Sequence, residues 1–80
     1  MSTLERVRQV VASVLRVSAP SVVPDARLAD LAQLDSLSLA EIAAALDEEF
    51  GIRVPGDDLT TVQTVAELTA VVERAPRRGA

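Results

Sequence analysis

The chain contains no cysteine, no histidine and no lysine. Without cysteine, neither a disulfide nor a thiolate metal site can form. Without histidine or cysteine, nothing in the chain can activate a serine hydroxyl as a catalytic nucleophile. There is no Gly-rich phosphate loop either, so the inventory points away from an enzyme. Long apolar runs are also missing. The longest near the N-terminus, Val10-Val11-Ala12 continued past Ser13 by Val14-Leu15, is far too short for a membrane span. Arg6, Arg8 and Arg16 flank it without a cleavage signal, so a soluble, cytoplasmic protein is expected.

What is present is enough for one small domain. Of the 80 residues, 49% are apolar, which supplies a single core of marginal size. The net charge of −4 argues against nucleic-acid binding, which needs clustered cations to displace counterions. Its distribution says more. Residues 1–27 carry four Arg and two acids, and residues 53–80 balance four Arg against four acids. Between them, Asp30, Asp35, Glu41, Asp47, Glu48 and Glu49 stand in residues 28–52 with no base.

Apolar periodicity predicts an all-α fold: a small bundle of three main helices plus a short or vestigial additional one. The first helix should run from about Leu4 to Leu15, with Ser2 and Glu5 spaced as a capping box and Leu4, Val7, Val11, Val14 and Leu15 on one face. A long loop broken by Pro20 and Pro24 then reaches Leu34, with Leu28 and Leu31 as apolar pegs and a possible turn of helix over 25–30. The second helix should start at Ser36 or Leu37, bury Leu39, Ile42, Ala43, Leu46 and Phe50, and stop at Gly51. Asp57-Asp58-Leu59 could form one turn. A last helix begins at Thr64, whose spacing to Glu67 fits a capping box, and ends before Pro76. Residues 1–75 form the domain, and 76–80 read as a disordered basic tail.

Asp35-Ser36-Leu37 sits at the junction of the long loop and the second helix. A serine there lies where free backbone N–H groups and the helix dipole favour an attached phosphate. Two readings compete: a helix N-cap, or a residue that another enzyme modifies. Asp35 could equally be the cap or a stabilising anion at the helix start. Glu41, Asp47, Glu48 and Glu49 could be a plain solvated face. However, Glu48 and Glu49 oppose the helix dipole, which favours an acidic docking surface for Arg- and Lys-rich partners. Ala40, Ala44 and Ala45 are strong helix formers that also slim the helix surface.

Across nearly its whole length the chain resembles the acyl carrier protein family. The likeness runs through Ser2-Thr3-Leu4-Glu5-Arg6-Val7, Asp35-Ser36-Leu37, Ala45-Leu46-Asp47-Glu48-Glu49-Phe50-Gly51-Ile52, Val54-Pro55 and Thr64-Val65. The resemblance implies a non-catalytic, monomeric, free-standing carrier. Ser36 would bear a 4′-phosphopantetheine arm, transferred from coenzyme A by a magnesium-dependent phosphopantetheinyl transferase. Asp35 would support that attachment, and Leu37, Glu41, Asp47 and Glu48 would contact partners. Those partners are acyltransferases, ketosynthases or acyl/aminoacyl ligases with basic docking surfaces. Fatty-acid or polyketide-type synthesis is implied, the latter slightly favoured. A peptidyl or aminoacyl carrier is the alternative, and an unmodified helical interaction domain is a more distant one. Two features depart from the family pattern. Leu31-Ala32-Gln33-Leu34 precedes Asp35 with no glycine and one extra residue, and the stretch from Pro55 to Thr64 is short. A different approach to the serine and a reduced third helix are therefore expected.

Overall fold

The computed structural model describes residues 2–79 as five α-helices with no named strand. Helix α1 (Thr3–Leu15) starts from Ser2, whose hydroxyl accepts from the Glu5 amide at 3.1 Å. The expected capping box is only half formed, because the Glu5 carboxylate turns to the Arg8 guanidinium instead. Arg16 ends the helix in the left-handed region, at φ 59. The long connection holds a 3₁₀ turn (Ala19–Ser21) and then α2 (Leu28–Leu31).

Helix α3 (Ser36–Phe50) ends at Gly51, where φ is 64 and the Ile52 amide reaches back to the Asp47 carbonyl at 3.2 Å. Glycine adopts this conformation without steric cost. Helix α4 (Gly56–Leu59) is a single turn, the reduced third helix that the short sequence allowed. Helix α5 (Val65–Arg74) begins with a complete capping box between Thr64 and Glu67.

The core gathers Val7 and Val11 from α1, Leu28 from α2, Ile42 and Leu46 from α3, Leu59 from α4, and Val65, Leu68, Val71 and Val72 from α5. Val22, a peg that periodicity did not mark, is fully buried. It is held by Arg8, whose Nε donates to the Val22 carbonyl at 2.6 Å and whose Nη2 donates to the Ala19 carbonyl at 3.1 Å. The same loop is tied to the start of α5. Amides of Leu28, Val65 and Ala66 bond the carbonyls of Gln63, Ala26 and Pro24 at 2.9, 3.1 and 2.8 Å. These ties account for a long connection that stays ordered without strands.

Residues 76–79, the stretch read as a basic tail, return to the end of α3. The Arg53 amide donates to the Pro76 carbonyl and the Arg78 amide to the Gly51 carbonyl, both at 2.9 Å, so that Ile52 and Arg77 form an isolated antiparallel bridge. The contact is made by backbone groups, so the exposed side chains of this stretch gave no sign of it. Ala80 lies outside the described residues.

Candidate functional site

The loop delivers the chain to α3 in extended conformation, with Ala32 at φ −162 and Asp35 at φ −134. No residue between Leu31 and Ser36 has a positive φ. The missing glycine therefore costs nothing here, because the backbone never enters the region where only glycine is at ease.

Asp35 is the N-cap of α3. Its Oδ1 accepts from the Ser38 amide at 2.8 Å. That bond, followed by a contribution from the Ser38 hydroxyl, pulls the Asp35 carboxyl below its ordinary value. With the cap supplied by the preceding residue, the competing N-cap role for Ser36 falls away. Ser36 occupies the first helical position, is exposed, and its hydroxyl makes no hydrogen bond among the described residues. Such a hydroxyl is open to an enzyme approaching from solvent, at the helix end whose orphan N–H groups favour a phosphate.

Among the described residues, two grooves flank α3. The first, about 510 Å³, runs from Ser36 along Leu39, Ala40, Ala43 and Ala44 to Asp47, with Gly56, Leu59 and Thr60 of the α4 segment as its other wall. Leu39, assigned to the core by periodicity, instead lines this groove; it lies one turn from Ser36, on the serine's side of the helix. The small side chains of Ala40, Ala43 and Ala44 keep the groove open. The second groove, between α1 and α3, does not reach Ser36.

A family profile described as "Phosphopantetheine attachment site" matches residues 5–72. The chain belongs to this family of acyl carrier proteins. It is 35% identical over 74 residues to the acyl carrier protein of Solidesulfovibrio magneticus, an alignment covering 92% of this chain and 95% of that one. It is 36% identical over 73 residues to the acyl carrier protein of Helicobacter hepaticus, covering 91% and 96%. Membership brings a covalently attached 4′-phosphopantetheine, a dependence on a phosphopantetheinyl transferase, and a role as carrier rather than catalyst.

The start of α3 fits that group. A free, exposed hydroxyl sits at the positive end of a 15-residue helix, beside an apolar groove that Ser36 itself lines. Among the described residues no carboxylate cluster could hold a metal, and no helix is long and apolar enough to cross a membrane.

The residues expected to meet partners separate into two groups. Leu37 is 68% exposed, far above the usual fate of a leucine, and stands beside the serine. Glu41 and Glu48 are exposed and carry no ion pair or hydrogen bond among the described residues. Asp47 differs. Its Oδ1 accepts from the buried Val54 amide at 2.8 Å, so the carboxylate holds the chain after α3 in place. Glu49 is engaged within the molecule as well. Arg6 reaches across from α1, donating through Nε to its carboxylate at 3.0 Å and through Nη2 to its carbonyl at 2.8 Å, while the guanidinium lies 4.3 Å over the Phe50 ring. The cation that helix-dipole reasoning wanted at this terminus is present, supplied by another helix. Sequence spacing could not find it, since the partners are 43 residues apart.

Proposed function

We propose that Ser36 is the attachment point and that the chain carries acyl intermediates as thioesters between enzymes of fatty-acid or polyketide-type synthesis. One observation supports this above the others. Asp35 takes the cap of α3, leaving an exposed Ser36 hydroxyl without any structural task. When attached, the prosthetic group supplies the thiol that bears the cargo. The protein's own residues hold the phosphoester at the helix terminus, offer the α3/α4 groove beside it, and present Leu37, Glu41 and Glu48 to partners.

The single-turn α4 and its alanine-lined groove give an apolar chain a shallow, open resting place rather than a closed cavity. The test is incubation of the folded chain with coenzyme A, magnesium and a promiscuous phosphopantetheinyl transferase, followed by intact-mass measurement. A gain of one phosphopantetheine, absent from Ser36→Ala, is expected. No gain on the folded protein, or an equal gain on Ser36→Ala, refutes the assignment. Parallel loading with acyl and aminoacyl donors then separates acyl cargo from the aminoacyl alternative.

A further inference from the structure

Helix α4 forms one wall of the groove beside Ser36, yet little within α4 fixes where that wall stands. It is a single turn with no side-chain cap, and among the described residues no hydrogen bond links residues 55–61 to another segment. Its hold on the molecule is Leu59, buried in the core, and the connector that enters it from α3. Pro55, at φ −64, makes the last joint of that connector stiff, so the wall follows Ile52–Val54.

Three successive amides hold the connector. Those of Ile52 and Val54 both end on Asp47, on its carbonyl at 3.2 Å and its Oδ1 at 2.8 Å. Two bonds to one residue of α3 form a pivot. The Arg53 amide between them donates to the Pro76 carbonyl at 2.9 Å, and the Arg78 amide donates back to the Gly51 carbonyl at 2.9 Å. These bonds flank the Ile52–Arg77 bridge, so the second anchor comes from the chain beyond α5. The connector is gripped from two elements instead of one. Both bonds use backbone groups, which makes the exposed Arg77 and Arg78 side chains dispensable for them.

We propose that residues 76–79 are a brace that sets the position of the α4 wall, and through it the grip of the α3/α4 groove on an apolar cargo. Releasing the brace leaves the connector turning about Asp47 and lets α4 move off α3. The consequence for cargo rests on Ser36 being the attachment point; the position of the wall does not.

Three variants test the brace by amide hydrogen exchange. A chain ending at Ala75 keeps every helix and every buried core residue but loses both bonds. Arg78→Pro removes only the donor to Gly51, next to a residue whose extended backbone tolerates a following proline. Arg78→Ala keeps that N–H. The reporter is the Val54 amide, whose acceptor on Asp47 is untouched in all three. Its exchange should quicken by about tenfold in the shortened chain and severalfold in Arg78→Pro, and stay within about twofold in Arg78→Ala. The core amides of Val11 and Leu68 should hold within about twofold. If the shortened chain loses core protection, Arg78→Pro decides. Unchanged Val54 exchange, equal effects of proline and alanine, or acceleration shared by Val11 and Leu68 in Arg78→Pro would each overturn the brace. A second arm loads Ser36 from decanoyl- and acetyl-coenzyme A and compares amide shifts at Ala43 and Leu59. The difference between the two cargoes should fall by about half or more in Arg78→Pro, and an unchanged difference overturns the effect on cargo. If neither cargo loads, the attachment reading fails while Val54 exchange still decides the brace.

Discussion

Replacing Asp47 by alanine tests whether its carboxylate holds the chain after α3, through the Val54 amide, rather than serving only as part of an acidic helix face. The Val54 amide is buried, with the residue 7% exposed, and its hydrogen bond to Asp47 Oδ1 is 2.8 Å long. A bond to a charged acceptor contributes about 1.5–3 kcal/mol, and removing the acceptor leaves a buried N–H unpaired. Two terms oppose the loss. Alanine is the better helix former by up to about 0.7 kcal/mol. Removing an acid near a helix C-terminus returns about 0.3–0.5 kcal/mol. The net destabilisation is about 0.3–2 kcal/mol, which in a domain of this size lowers the melting temperature by about 4–8 °C per kcal/mol. Thermal unfolding followed by circular dichroism measures it, and hydrogen exchange at the Val54 amide locates it. Asp47→Asn keeps the Oδ1 acceptor and should lose less than half as much. If Asp47→Ala melts with the parent and Val54 retains its protection, the bond contributes nothing and the docking role returns to Asp47.

Four other outcomes follow from the same structure. Leu46 is fully buried, so Leu46→Ala should cost about 2–5 kcal/mol in denaturant unfolding, close to the whole stability of so small a domain. Arg16→Gly should stabilise by about 1 kcal/mol, because Arg16 ends α1 at φ 59 where glycine carries no Cβ penalty; an unchanged urea midpoint would contradict that. Asp35 and Glu67 both have folded-state pKa values below their ordinary 3.8 and 4.5, each held down chiefly by backbone amides, from Ser38 for Asp35 and from Gln63 and Thr64 for Glu67. Their stabilisation is complete above the ordinary values and is lost as pH falls through the depressed ones, so melting temperature should drop in acid, and Glu67→Gln should shallow that drop. Glu48→Gln, by contrast, should leave the melting temperature unchanged while slowing association with a basic partner at low salt, an effect that disappears at high salt.

Much was legible from the chain alone wherever the controlling interaction is local. The three long helices, the Ser2 and Thr64 starts, the Gly51 stop and the displayed Ser36 all depend on residues within about one turn of one another, and these leave a periodic or capping signature. The absence of cysteine and histidine likewise excluded catalysis by those groups before any fold was known. The capping of α3 by Asp35 rather than Ser36 was one of two local options that the sequence left open, and a 2.8 Å bond decided between them.

Only the tertiary structure decided which acids are free. Asp47 and Glu49 read like Glu41 and Glu48 along the helix, but the first is claimed by the Val54 amide and the second by Arg6, 43 residues away. It also turned Leu39 from the core into a groove wall, buried Val22 beneath the Arg8 clamp, and paired Arg77 with Ile52. Each of these outcomes depends on chain segments that meet only after folding. Hydrogen bonds and burial between such segments have no period, so helix patterns announce the elements but not which of their polar faces remain available to another protein.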